Sequence, residues 1–205
     1  MGRIAHYLEV AERIPGWRPH DEAEALARVA RRMPDDAVIV EIGVFLGSGA
    51  VVLAGARKIA GTGIVHCVDP FDASGDEYSV PIYREILRDI ESSQFEVFTR
   101  TIDSLELDDQ VRVHRGTAEN VGRTWDRPID LLVLDGDHSP RGARSAFDVW
   151  EPWLRRGGTL VITNSVPRAF ELDHDGNFLI ASERVVEPSY QDIRVIGATT
   201  FAVKH

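Results

Sequence analysis

Val38-Ile39-Val40-Glu41-Ile42-Gly43-Val44-Phe45-Leu46-Gly47-Ser48-Gly49 reads as a strand with one acid that breaks into a glycine-spaced turn and opens a helix. Glycine suits such a turn twice over. It accepts the φ angles of a sharp strand-to-helix reversal, and without a Cβ it lets a ligand lie against backbone N–H groups. Glu41, at the strand end, would repel a pyrophosphate but suits a hydroxyl donor or a cation. The dinucleotide fingerprint G-x-G-x-x-G would need glycine at 45 and 48, where Phe45 and Ser48 stand, which counts against NAD. Further on, Ile64-Val65-His66-Cys67-Val68 ends in Asp69, where a second parallel strand presents an acid to a ribose diol. Two acids and a glycine turn suit an uncharged, ribose-bearing cofactor.

Working outward, the chain alternates strands and helices. A helix is expected from Gly47 to Ala60, and strands at Ile64 to Val68, Val111 to His114, Ile129 to Leu134 and Thr159 to Thr163, the last after a Gly157-Gly158 turn. A helix around Arg141 to Leu154 precedes that turn. The strands are near-continuous apolar runs, as in a parallel sheet covered on both faces. Upstream, Arg3 to Arg13 and the stretch from Asp21 to Met33 carry helical apolar stripes bounded by Pro15-Gly16 and Pro34. They either cover the sheet or act as a substrate lid. From Glu183 the tail reads as two extended, antiparallel pieces, Arg184 to Val186 and Ile193 to Val203. The expected fold is α/β: a Rossmann-like, doubly wound, mostly parallel sheet with an antiparallel C-terminal strand and helices on both faces. One domain would span 1–205, with an N-terminal helical cap over 1–34 and an extended insertion over 70–110 built around one helix that Pro81 could start.

Composition removes several classes. A net charge of −10 argues against a nucleic-acid partner, and Arg28, Arg31 and Arg32 read as a solvated helix end. Cys67 is the only cysteine, which excludes a disulfide framework and a cysteine-rich metal site. No signal peptide or membrane-spanning run is seen, so a cytoplasmic protein without a membrane partner is expected. Lysine occurs only at Lys58 and Lys204, which removes most candidates for Schiff-base chemistry.

In an open parallel sheet, ligands bind beyond the carboxyl ends of the strands. Those ends carry Glu41 with Gly43 to Gly49, then Asp69, Gly116-Thr117-Ala118-Glu119, Asp135-Gly136-Asp137-His138 and Thr163-Asn164. Through Glu41-x-Gly43-x-x-x-Gly47-x-Gly49, Asp69 and the Leu134 to His138 turn, the chain resembles the class I S-adenosylmethionine-dependent methyltransferases over roughly Pro34 to Asn164. Val68-Asp69-Pro70-Phe71, Asp135-Gly136-Asp137-His138-Ser139 and Trp153-Leu154-x-x-Gly157-Gly158 are similar to the small bacterial group that includes macrolide and sugar O-methyltransferases.

That resemblance implies S-adenosyl-L-methionine as donor, with Gly43, Gly47, Ser48 and Gly49 near its methionine part and Asp69 on the ribose hydroxyls. Thr117 and Ala118 would flank the adenine, and Glu41 and Asp135 would face the amino or sulfonium side. Asp137 and His138 are the expected catalytic pair, since a base must reach a hydroxyl proton while oxygen, methyl and sulfur line up. His174-Asp175-Gly176 is a rival that reads first as a turn. Metal-dependent relatives imply Mg2+ at Asp135 and Asn164, although Thr163 stands where an acid would. The expected activity is O-methylation of a small-molecule hydroxyl, on a sugar or secondary metabolite, with a homodimer allowed. The alternatives are an NAD(P)-dependent oxidoreductase and a catalytically silent protein that binds the same donor.

Overall fold

The structure is a computed structural model, and it describes residues 2–168 and 173–205. Seven strands form one sheet in the order β3-β2-β1-β4-β5-β7-β6. They are β1 (Val38–Ile42), β2 (Ile64–Asp69), β3 (Val111–Arg115), β4 (Ile129–Leu134), β5 (Leu154–Ile162), β6 (Tyr190–Ile196) and β7 (Thr199–Lys204). The first five run parallel, and β7 pairs antiparallel with both β5 and β6. The chain moves outward from β1 to β3 and then returns to place β4 against the other side of β1. The crevice beyond β1 and β4 is therefore the switch point where such sheets bind ligands.

Alternate strand residues feed two cores, as the two-residue period of a strand requires. Ile39, Val65, Cys67, Leu131, Val133 and Val161 face one layer of helices, α1 (Gly2–Arg13), α2 (His20–Arg32) and α3 (Ser48–Ala60). Val40, Ile42, Val68, Leu132, Leu134 and Leu160 face the other, where α6 (Ala118–Gly122), α7 (Pro140–Trp150) and α8 (Gly176–Arg184) lie. The two N-terminal helices pack on α3. Buried Arg57 ties them there by donating to the carbonyls of Ala30, Met33 and Pro34 at 2.8 Å each, which satisfies the carbonyl end of α2.

Four expectations change. The segment after β2 holds two helices, α4 (Ser79–Leu87) and α5 (Gln94–Ser104), not one. Pro81 lies at the third position of α4, and α5 opens on a Ser93/Glu96 capping box. The Arg184 to Val186 strand is absent, because Arg184 ends α8. The single piece from Ile193 to Val203 splits at Gly197, φ +58°, into the hairpin of β6 and β7. The Gly157-Gly158 turn lies inside β5 as a register irregularity against β4. Of the stretch 165–180, between β5 and the body of α8, residues 169–172 lie outside the described residues.

Candidate active site

The turn after β1 is held from beneath by Asp69. One carboxylate oxygen accepts the N–H groups of Val44 (2.9 Å) and Phe45 (3.0 Å), and the other accepts those of Phe71 (2.6 Å) and the Gln94 amide (3.3 Å). Burial pushes the Asp69 carboxyl up, and the three backbone donors pull it back. Gly43, φ +81°, lies so close to the start of the β4 turn that a Cβ would stand 2.3 Å from the Asp135 carbonyl oxygen. Gly47, φ +99°, caps α3 beneath the Phe98 ring and does not line the cleft, so its part is to shape the turn. Ser48 lines the first cavity, but its hydroxyl is engaged by the Ala11 carbonyl, to which it donates at 3.1 Å.

Two cavities meet at this turn and share Gly43, Phe45, Tyr83 and Asp135. The first is walled by Trp17, Arg18, Glu41, Tyr78, His138 and His174 among others. The second runs past Asp69, Thr117, Ala118, Glu119 and Asp137. Between them stands an aromatic stack. Phe45, held at φ +47°, lies 4.6 Å from the Tyr83 ring and 6.0 Å from that of Trp17. Positive φ at a bulky residue is strained, and the stack is what that strain secures.

Glu41 is fully buried, and burial pushes its carboxyl up to about 8, with Arg18 drawing it down and Asp135 and Asp69 adding to the rise. The Arg18 guanidinium reaches in from the loop between α1 and α2, 2.5 Å from Asp135 Oδ2 and 3.5 Å from Glu41 Oε1. Arg18 was not legible as a site residue. Thr163 donates its hydroxyl to Asp135 Oδ1, so both oxygens of Asp135 are engaged.

The expected catalytic pair is separated by the structure. Asp137 is exposed, accepts the Ser139 N–H at 2.9 Å ahead of α7, and lines the second cavity rather than the first. His138 does lie in the first cavity, buried, and burial pushes its imidazole down against the pull of Asp135. Asn177 Nδ2 donates to the Thr163 carbonyl at 2.8 Å, and that bond fixes its amide so that it also faces His138 Nδ1 at 3.4 Å; Asn164 Nδ2 lies at the same distance. The ring proton is thereby assigned to Nε2, which points at Asp135 Oδ1 3.7 Å away. Stacked on His138 at 4.8 Å is His174, whose Nδ1 lies 2.9 Å from Asp76 Oδ1. Burial pushes the Asp76 carboxyl up, but the bonds from His174 and Ser79 outweigh it and hold the group well below the usual carboxylate range. The rival His174 is thus a buried partner of Asp76, not a turn residue. His66 and His114 pair with each other at 2.9 Å on β2 and β3, away from both cavities.

These residues do not fit a divalent cation. The space in front of Asp135 is taken by a guanidinium, its other oxygen by the Thr163 hydroxyl, and the Asn164 amide faces a histidine nitrogen. Among the described residues no cluster of three or more His, Cys, Asp or Glu side chains is placed to hold a metal. The expectation of Mg2+ at Asp135 and Asn164 is corrected accordingly. A nucleoside with a cationic amino-acid tail does fit. Glu41 Oε2 is buried and has no hydrogen-bond partner among the described residues, and a Cβ on Gly49 would fall 1.8 Å from Glu41 Oε1, so the turn is cut away around an acceptor that lacks its donor.

The S-adenosylmethionine tail carries an ammonium that would complete Glu41. At pH 7 a carboxyl raised to about 8 holds its proton. Pairing with an ammonium favours the ionised form, so binding releases that proton. Affinity for S-adenosylhomocysteine is expected to rise from pH 6 to about 8 and then level off, and Glu41→Gln should flatten the slope. Calorimetric titrations at pH 6, 7 and 8 check this; a wild-type affinity that does not change with pH contradicts it.

Comparison with known proteins agrees. A family model described as a methyltransferase domain matches residues 40–165. Three solved structures share the fold at low identity. An SAH-bound methyltransferase of Podospora anserina is 14% identical (TM-score 0.68, covering 100% of this chain and 88% of that one). A putative caffeoyl-CoA O-methyltransferase from Staphylococcus aureus is 15% identical (0.68, 98% and 92%). An O-methyltransferase from Bacillus cereus in complex with SAH is 15% identical (0.66, 100% and 91%). With a glycine turn, a buried acid that has one oxygen unmet among the described residues and a family match over most of the sheet, the chain belongs to the methyltransferase-domain family, as a class I S-adenosylmethionine-dependent methyltransferase.

Proposed function

We propose that the protein O-methylates a hydroxyl of a small molecule, a sugar or secondary metabolite. When bound, S-adenosylmethionine supplies an electrophilic methyl group on a sulfonium. The second cavity suits the adenosine, between Asp69 and Thr117-Ala118, and the first suits the methionine tail and the acceptor. The protein's own residues have to orient the acceptor oxygen, exclude water and take up the hydroxyl proton.

The observation that carries this reading is the buried Asp76–His174 pair at the wall of the first cavity. A carboxylate that holds Nδ1 of an imidazole fixes the ring against the cavity wall and stabilises the imidazolium that proton uptake would form. His138 is less suited to the same task, because two amide groups face its Nδ1 and its Nε2 proton faces Asp135. Trp17, Tyr78 and Tyr83 give the cavity the apolar walls of a small-molecule site. A net charge of −10 supports a small acceptor over a nucleic acid, and no helix among the described residues is long and apolar enough to cross a membrane. Names of structural neighbours that include O-methyltransferases agree with oxygen as the target.

Radiolabelled methyl transfer to a panel of hydroxylated acceptors tests the proposal. Asp76→Asn and His174→Gln should each lower kcat by about 100-fold, the lower end of a lost general base, while S-adenosylhomocysteine affinity stays within about threefold. Full turnover in both variants contradicts the assigned role, and transfer confined to nitrogen acceptors contradicts the choice of oxygen.

A further inference from the structure

The family match begins at residue 40, so nothing N-terminal to β1 is covered by it. Yet the loop between α1 and α2 enters the site. Gly16 is pressed against the start of α3, where a Cβ would stand 2.6 Å from that of Ser48. Trp17, held at φ +48° and 58% exposed, lies over Phe45 and Tyr83. Arg18 follows it inward, with its side chain only 4% exposed.

Its environment is incomplete in a specific way. Nη2 meets Asp135 and, at longer range, Glu41, while Nε is buried with no hydrogen-bond partner among the described residues. Glu41 Oε2 is in the same condition. A buried guanidinium donor and a buried carboxylate acceptor, both unmet and both on residues lining one cavity, call for a ligand that brings an anion and a cation together. An α-amino acid zwitterion does so: its ammonium donates to Glu41 and its carboxylate accepts from Arg18. Lysine could not take this place, since only the planar guanidinium offers a side donor while another nitrogen stays on Asp135.

We propose that Arg18, delivered by the loop between the two N-terminal helices, binds the carboxylate of the donor's amino-acid tail, and with Glu41 forms a clamp that selects donors with that tail intact. The inference rests on the S-adenosylmethionine reading of the site and adds to it a residue from outside the matched family region. It also gives the N-terminal helices a part in the site beyond covering α3, because the seating of Trp17 over Phe45 and the placing of Arg18 are made by one short loop.

The test is a comparison of two ligands by calorimetry, S-adenosylhomocysteine and methylthioadenosine, which keeps the nucleoside and thioether but lacks the amino-acid tail. Against the wild type, Arg18→Ala should weaken S-adenosylhomocysteine at least 30-fold, about 2 kcal/mol, and leave methylthioadenosine within twofold. Arg18→Lys, which keeps the charge beside Asp135 but loses the side donor, should still lose at least fivefold for S-adenosylhomocysteine alone. Equal weakening of both ligands would mean that Arg18 only supports the fold of the site, and no weakening of either would mean that it does not meet the tail; either result overturns the clamp. A wild-type protein that binds methylthioadenosine and S-adenosylhomocysteine equally well also overturns it while leaving the donor site standing, whereas one that binds neither overturns the donor reading itself.

Discussion

Asp69→Ala is expected to lower the unfolding free energy by about 3–5 kcal/mol, since two buried backbone N–H groups and one part-buried one lose their acceptor together and each such loss costs about 1–3 kcal/mol. The donors belong to Val44, Phe45 and Phe71, which means that both the turn after β1 and the turn after β2 lose the group joining them. Asp69→Asn retains an acceptor oxygen and should fall between the alanine variant and the wild type. Denaturant unfolding followed by tryptophan fluorescence measures the difference. A change below about 1 kcal/mol would mean that the carboxylate is not what holds the turns. The expectation also alters how a binding defect in this variant is read. Loss of donor affinity in Asp69→Ala follows from a collapsed turn as readily as from a lost ribose contact, so only ligands differing at the ribose hydroxyls isolate that contact.

Gly49→Ala should behave in the opposite way, with the fold kept and donor affinity reduced at least about 100-fold, or 2.7 kcal/mol. The added Cβ would meet Glu41 Oε1 at 1.8 Å, Arg18 Nη2 at 2.8 Å and Glu41 Cδ at 2.9 Å. All three are ends of side chains rather than backbone, so the clash is relieved by displacing the two groups that meet the amino-acid tail. Gly49 lies in the first turn of α3, where alanine is otherwise the better helix former. Near-native unfolding with abolished S-adenosylhomocysteine binding is the expected pattern. Retained binding would show that neither Glu41 nor Arg18 needs its present position.

The central strands were legible because they are buried on both faces, so their runs are apolar but for one acid each: Ile129–Leu134, with Asp130, and Val38–Ile42, with Glu41, lie where the pattern puts them. The antiparallel hairpin was legible in kind but not in bounds, because Gly197 interrupts an otherwise continuous extended run. Helix α8 was missed for a local reason. Asp175-Gly176 reads as a turn, yet Gly176 and Asn177 are buried, the first against the His138-Ser139 backbone and the second on the Thr163 carbonyl, and tertiary packing decides the matter. Helix α5 did carry a readable start in Ser93-x-x-Glu96.

The site divides along the same line. Glu41, Gly43, Gly49, Asp69, Thr117, Ala118 and Asp135 follow strands directly, and the structure gathers them around the two cavities. Asp76 and His174 are 98 positions apart, and Arg18 and Asp135 are 117 apart. No spacing rule joins residues on separate loops that meet only when the sheet is closed. The pairing of Asp137 with His138 was misleading for a related reason: the two are adjacent in sequence, but the tight turn into α7 sends their side chains to different cavities.

Titration of the unmodified protein with S-adenosylhomocysteine at pH 8 is the most direct measurement of the central claim, because it needs no knowledge of the acceptor. Micromolar affinity, about 8 kcal/mol, with one site per chain is the predicted result. The absence of any saturable binding would contradict the donor site at the β1 turn and, with it, the account of Glu41, Gly49 and Arg18.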